Sequence, residues 1–213
     1  MRKLILSISL SAISYLSVAQ SYNESILDYR KHYKADFLTD SRSPLKQADL
    51  QYLRFYEPDI SYCIKATFVA TPESEAFSMA THSGKDKTYR QYGILTFKIH
   101  DTLLNLHVYQ RVTDNKLFAL NAAASQQMNP QDEELFIPFT DQTNYDETFG
   151  GGRYLDLRTS DIKDNQVILD FNKCYNPYCA FAEGYSCPIP PRENALDMEI
   201  KAGEKLFAKK MQE

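Results

Sequence analysis

Tryptophan is absent from this 213-residue chain, and neither lysine nor arginine forms a run. The basic total of 24 stands against 28 acids, a formal charge of -4, so the surplus positive charge with which proteins read phosphate backbones is missing. A nucleic-acid or anionic-membrane partner is therefore not expected. No apolar run is long enough to cross a bilayer: Leu4 to Ala19 falls short of the roughly 20 residues required and is interrupted by five serines. Gly-x-Ser-x-Gly, His-Glu-x-x-His and Gly-Lys-Ser/Thr motifs are also missing, which removes the commonest hydrolase, metalloprotease and phosphate-loop signatures. No motif names a cofactor.

What is present begins with an export signal. Met1-Arg2-Lys3 precedes the apolar, serine-rich run, and Ser17-Val18-Ala19 supplies small residues where a signal peptidase cuts. We expect residues 1–19 to be removed, leaving 20–213 as a single domain in the periplasm or outside the cell, with no stable membrane span. No cysteine follows the cleavage site to carry a lipid. Loss of Arg2 and Lys3 lowers the basic count from 24 to 22 against the same 28 acids, a net charge of -6. The oligomeric state has no signature here.

Beyond the signal, Ser21 and Glu24 stand at capping-box spacing, and Ile26, Tyr29, Tyr33 and Phe37 fall on one helical face. Ser43-Pro44 starts a second, short helix expected over Leu45 to Tyr52. From Ser61 the period becomes two, with Tyr62, Ile64, Ala66, Phe68 and Ala70 on one face. Further strands are expected at Ala76–Ala80, Tyr92–His100, Leu103–Val112, Glu134–Phe139, Gln166–Phe171 and Leu196–Lys201, with a tight hairpin at His100-Asp101-Thr102. Short strands without intervening long helices predict a mainly β domain with N-terminal helices, an antiparallel barrel or sandwich. Asn121 to Asp132, rich in Ala, Gln and Asn, reads as a surface loop.

Chemistry-bearing residues concentrate between Glu147 and Pro191. Gly150-Gly151-Gly152 permits a sharp turn or bulge, and the following strand puts Arg153 and Leu155 on one face with Tyr154 and Asp156 on the other. The Arg153 guanidinium suits a bidentate carboxylate, either a ligand's or that of Glu147, Asp170 or Asp141. Asp170, Asn172 and Asn176 add acidic and amide groups that line a polar cavity or tie down the Pro-rich loop. A pair among Glu147, Asp156 and Asp170 suits acid–base work; the same residues also compose an ordinary salt-bridge network. His32, His82, His100 and His107 all lie outside the segment.

Four cysteines allow three disulfide pairings. Cys179 and Cys187, close together in a Pro-rich loop, form the expected pair, which leaves Cys63 and Cys174 to bridge or stay reduced. Neither Cys174 to Cys179 nor Cys179 to Cys187 has the short spacing of a zinc pair, so no metal site is expected.

The blocks Phe139-Thr140-Asp141-Gln142-Thr143, Glu147 through Asp156, Asp170-Phe171-Asn172, Asn176-Pro177-Tyr178-Cys179 and Cys187 through Asn194 resemble the successive signature blocks of a bacterial family of unknown function, DUF1684. Weaker echoes are Ser43-Pro44-Leu45 and Ile200-Lys201-Ala202-Gly203-Glu204-Lys205. Phe149 and Cys174 depart from the pattern, which often has tyrosine and a small residue there. The resemblance implies no reaction. The combined expectation is an exported protein that binds a small polar ligand in a pocket built from Glu147, Arg153, Asp156, Asp170, Asn172 and Asn176. The alternatives are a hydrolase using the clustered carboxylates, and a structural or interaction module in which the motif is an internal clasp.

Overall fold

The computed structural model describes residues 2–112 and 132–209, with side chains from Gln20 onward. Helix α1 (Arg2–Thr39) is followed by seven strands: β1 (Cys63–Ala70), β2 (Ala76–Met79), β3 (Lys87–Ile99), β4 (Thr102–Arg111), β5 (Glu134–Phe139), β6 (Arg153–Arg158) and β7 (Gln166–Asp170). They form one antiparallel sheet in the order β6-β5-β4-β3-β1-β7, with β2 paired to β3, curled into a half-barrel. The single domain is thus mainly β with one N-terminal helix.

Alternation dictates which face of the curl is dry. Ala66 and Phe68 of β1, Leu95, Phe97 and Ile99 of β3, Leu104, Leu106 and Val108 of β4, and Leu135, Ile137 and Phe139 of β5 all point into one core. Each fully buried Leu, Ile or Phe stabilises the fold by about 1.5–3 kcal/mol. The β3–β4 hairpin turns on His100 and Asp101, both at positive φ (46° and 66°), as the two-residue connection required.

Between β4 and β5 the ladder is nearly absent, with register only at Tyr109 and Phe136. Asn194 fills the gap. Its Oδ1 accepts from His107 N at 2.7 Å, and its Nδ2 donates to the carbonyls of His107 and Pro138. A proline cannot donate to a neighbouring strand, so the amide side chain works here as an extra peptide unit.

Four expectations are corrected. The second helix is a 3-10 turn, Gln47–Tyr52. Residues 196–201 are not a strand: Leu196 N and Met198 O bond the backbone of Thr140 and Gln142 beside a single bridge, Thr140 to Ala195, and the Ile200 carbonyl and N–H go to Arg153 and Asp141. Phe171 belongs not to β7 but to a 3-10 turn, Phe171–Lys173, so Asn172 is not on a strand face with Asp170. Strand β3 starts five residues earlier than periodicity indicated, because β2 extends its pairing to Lys87. Residues 121–131 of the expected loop lie outside the described residues. Helix α1 runs continuously through the expected cleavage point at Ala19.

Candidate functional site: a sealed motif beside an open groove

Strand β6 leaves the glycine turn with Arg153 pointing inward, at 0% exposure. Gly152 makes that entry possible: its φ is +84°, and a Cβ there would strike the Phe139 carbonyl and the Pro190 ring. The guanidinium meets Asp141 at 2.8 Å, and donates to the carbonyls of Ile200 (2.8 Å), Ala202 (2.5 Å) and Glu204 (3.2 Å). Alternate carbonyls of an extended segment point the same way, and the segment bends at Gly203 (φ +75°) to wrap them around one cation. Asp141 is equally engaged, accepting from Thr143 N, Thr143 Oγ1 and Ile200 N. The pair closes residues 194–204 across the open side of the curl.

Glu204 sits behind this clasp, also at 0% exposure. Its Oε2 accepts from Asn176 N (2.8 Å) and from Tyr33 Oη of α1 (2.8 Å), while Oε1 has no partner. Burial pushes its carboxyl up to about 7, against the pull of the Asn176 and Tyr33 hydrogen bonds and the Arg153 charge. Asn176 also donates Nδ2 to the Lys205 carbonyl and is 1% exposed.

A second polar knot lies where β7 ends. Asn172, 1% exposed, takes Asp59 N on its Oδ1 and donates Nδ2 to Asp59 O, so one side chain holds the Asp59 backbone by both its groups. Asp170 accepts from Tyr22 Oη at 2.9 Å and from Asn172 N at 3.1 Å. Helix α1 thus contributes Tyr22 and Tyr33 to two motif knots, and Tyr29 Oη reaches the Lys173 carbonyl.

Asp156 points to the other side of β6, as the strand period requires, and takes a 2.7 Å hydrogen bond from Tyr175 Oη. It reaches solvent at one edge, yet the protein crowded around it raises its carboxyl to about 6. Glu147 is half-buried and paired with Lys205 at 3.0 Å and Lys201 at 3.7 Å; the Lys205 bond is the main reason its carboxyl is held below the usual range. Among the expected ligand-binding residues, then, Arg153, Asn172 and Asn176 are enclosed and engaged by the protein itself. Asp170 joins Asn172, while Asp156 and Glu147 lie apart from that knot with partners of their own.

An open groove of about 590 Å³ borders these knots, lined by Asn23 of α1, Tyr56, Glu57, Asp59 and Ile60 of one connecting segment, and Lys201. Asn172 fixes Asp59, and the Lys205 ammonium lies 4.5 Å over the Tyr56 ring, so the motif supports two groove walls from behind. Periodicity could not reveal Tyr56 through Ile60, which belong to no helix–strand pattern. Asp141 and Asn194 did lie within signature blocks and Glu204 in a weaker echo; what the sequence concealed was their partners, Arg153, the His107 backbone and Tyr33.

Cys179 and Cys187 form the expected disulfide, whereas Cys63 and Cys174 are free. Burial raises the Cys174 thiol to about 11. Among the described residues no group of three or more His, Cys, Asp or Glu is placed to hold a metal ion, and no helix is long and apolar enough to cross a membrane.

These features define a class: a one-sheet half-barrel whose open side is shut by a sealed Arg–Asp clasp. Residues 48–205 match the family described as "Protein of unknown function (DUF1684)", and the chain belongs to that family. It is similar to the solution NMR structure of the uncharacterized protein from gene locus rrnAC0354 of Haloarcula marismortui. The identity is 27% and the TM-score 0.59, over 86% of this chain and 97% of that one. No curated protein matches the chain.

Proposed function

We propose that this is an exported, non-hydrolytic binding protein in which the family motif is a clasp, and the open groove beside it receives a small polar ligand. The observation that carries this reading is the closure of Arg153: with Asp141 and three carbonyls around it, the guanidinium has a structural task and no approach from solvent. Glu147, Asp156 and Asp170 each answer to a different partner, Lys205, Tyr175 and Tyr22, rather than to one another, which counts against an acid–base pair. The groove is open to solvent and offers polar groups of both kinds from Asn23, Tyr56, Glu57, Asp59 and Lys201.

The test is a thermal-shift screen of metabolites, sugars and peptides against the wild type, Tyr56→Phe, Lys201→Gln and Arg153→Ala. A ligand should protect the wild type and lose its effect in the two groove variants. Arg153→Ala should lose about 3–5 kcal/mol of stability in urea, the cost of leaving a buried charge without its partner. A variant that folds as stably as the wild type and is selectively blind to the ligand would return Arg153 to the binding site and refute the clasp.

A further inference from the structure

Lys87 and Arg111 meet at the end of the β3–β4 hairpin remote from its turn. Arg111 is the cross-strand partner of Tyr89, and Lys87 precedes Tyr89 by two residues, so the two cations are diagonal neighbours on one face of the sheet, about 7–8 Å apart at the backbone. That face carries Phe77, Met79, Tyr109 and Phe136 and lies opposite the main core. Lys87 is half-buried and Arg111 is exposed. Among the described residues, neither side chain makes an ion pair or a hydrogen bond.

Like charges so placed repel each other, and an acid between them would be the ordinary remedy. None stands there. Burial holds the Lys87 ammonium below the usual lysine range, Arg111 and Arg42 push the same way, and no carboxylate opposes them. Asp86, next in sequence, takes the Ser78 hydroxyl at 2.9 Å. Asp156 lies two strands beyond Arg111 and takes the Tyr175 hydroxyl. The disulfide loop brings Arg42 close: Ile189 N donates to the Ala80 carbonyl at the end of β2, and Tyr185 Oη to the Arg42 carbonyl. Arg42 is itself paired with Asp40, so it adds positive field rather than a free donor. In a chain of 28 acids and 24 bases, two adjacent cations without an acid run against the composition.

We propose that a small, doubly charged oxyanion, a phosphate or sulfate group, binds between Lys87 and Arg111 on this face of the sheet. The guanidinium supplies paired donors in a plane and the ammonium a point charge, and a dianion matches their combined charge. A long polyanion fits poorly, because Glu134 and Asp156 lie further across the same face. Neither cation lines the groove, so this site is independent of the groove reading.

The probes are inorganic phosphate and sulfate, titrated into the protein at constant ionic strength with chloride as control. At least one should raise Tm saturably, by roughly 5 °C or more at a hundredfold excess over Kd. The apparent Kd should weaken tenfold or more in Lys87→Gln and in Arg111→Gln, and stay unchanged in Lys65→Gln, which removes an exposed lysine of β1. In chloride alone, both site variants should be at least as stable in urea as the wild type, since each removes a repulsion. The Lys87 ammonium, followed by NMR, should titrate higher in phosphate than in chloride. Protection that survives in both site variants, that is lost equally in Lys65→Gln, or that never exceeds chloride overturns the site. Loss of stability in chloride would show that the two cations already have a partner, and would sink the proposal as well.

Discussion

Glu204 sets its own stability against pH. Its carboxyl titrates at about 7 in the fold against an ordinary value of 4.5, chiefly because burial penalises the charged form. The contribution to stability is therefore whole below pH 4.5 and is lost as pH rises through 7. Glu204→Gln should remove this slope, so that the variant gains on the wild type by about 2–3 kcal/mol between pH 4.5 and 8. Urea unfolding at a series of pH values checks it; parallel curves for the two proteins would mean that the Glu204 carboxyl titrates in the fold as it does in the unfolded chain. At this scale the sequence was only half legible. Arg153 announced itself after three glycines, and Asp141 stood among its candidate partners, but the acid with the most altered environment lay in a weak echo at the far end. No spacing rule relates residue 204 to 33 or 176.

Among the elements, α1 and the disulfide loop depend on each other. Phe181, from the nine-residue span that Cys179 and Cys187 close, packs edge-on against Phe37 of α1 at 5.5 Å and against Phe207 at 5.1 Å. Tyr178 of the same loop donates to Asp40 at 2.9 Å, just past the helix end. Cutting so short a loop costs about 2–3 kcal/mol by chain entropy. Reduction should therefore lower Tm and raise hydrogen exchange in residues 33–40 before it does so in β3 or β4. Uniform loss across the sheet would show that the loop and helix are not a separate unit. The strands were read well from alternation, since a half-buried strand writes its period into the sequence. Residues 196–201 misled for a physical reason: they alternate apolar and charged residues as a strand does, yet the Ile200 carbonyl is held by the Arg153 guanidinium and the Met198 carbonyl by Gln142 N, outside any strand.

For the whole molecule, the export reading predicts a mature chain beginning at Gln20. Intact-mass measurement on protein recovered from an expressing bacterial cell should find residues 1–19 missing and one disulfide with two thiols. Retention of Met1 would remove the signal. The structure itself contributes compatible facts, an intramolecular disulfide and no described helix suited to a bilayer, without locating the protein. Fold class followed from composition and period, whereas the closing of a half-barrel by an unpaired terminal segment did not. That closure depends on contacts between residues about 50 or more positions apart, which local patterns do not encode.

The tyrosines of α1 carry one more consequence. Tyr22 bonds a residue 148 positions later and Tyr33 one 171 positions later, so the first part of the chain to emerge is among the last to find its seat. Contacts of such separation form slowly, because the intervening chain must be ordered first. Phe37 and Tyr33 pack with Leu45, Leu53 and Phe55 close by in sequence, but Phe181, Tyr178 and Phe207 of the same cluster arrive only from the far end of the fold. Docking of the helix against the distant segment is therefore expected late in folding, and Tyr33→Phe should leave the sheet's refolding rate unchanged while slowing protection of residues 22–39 in pulsed hydrogen exchange.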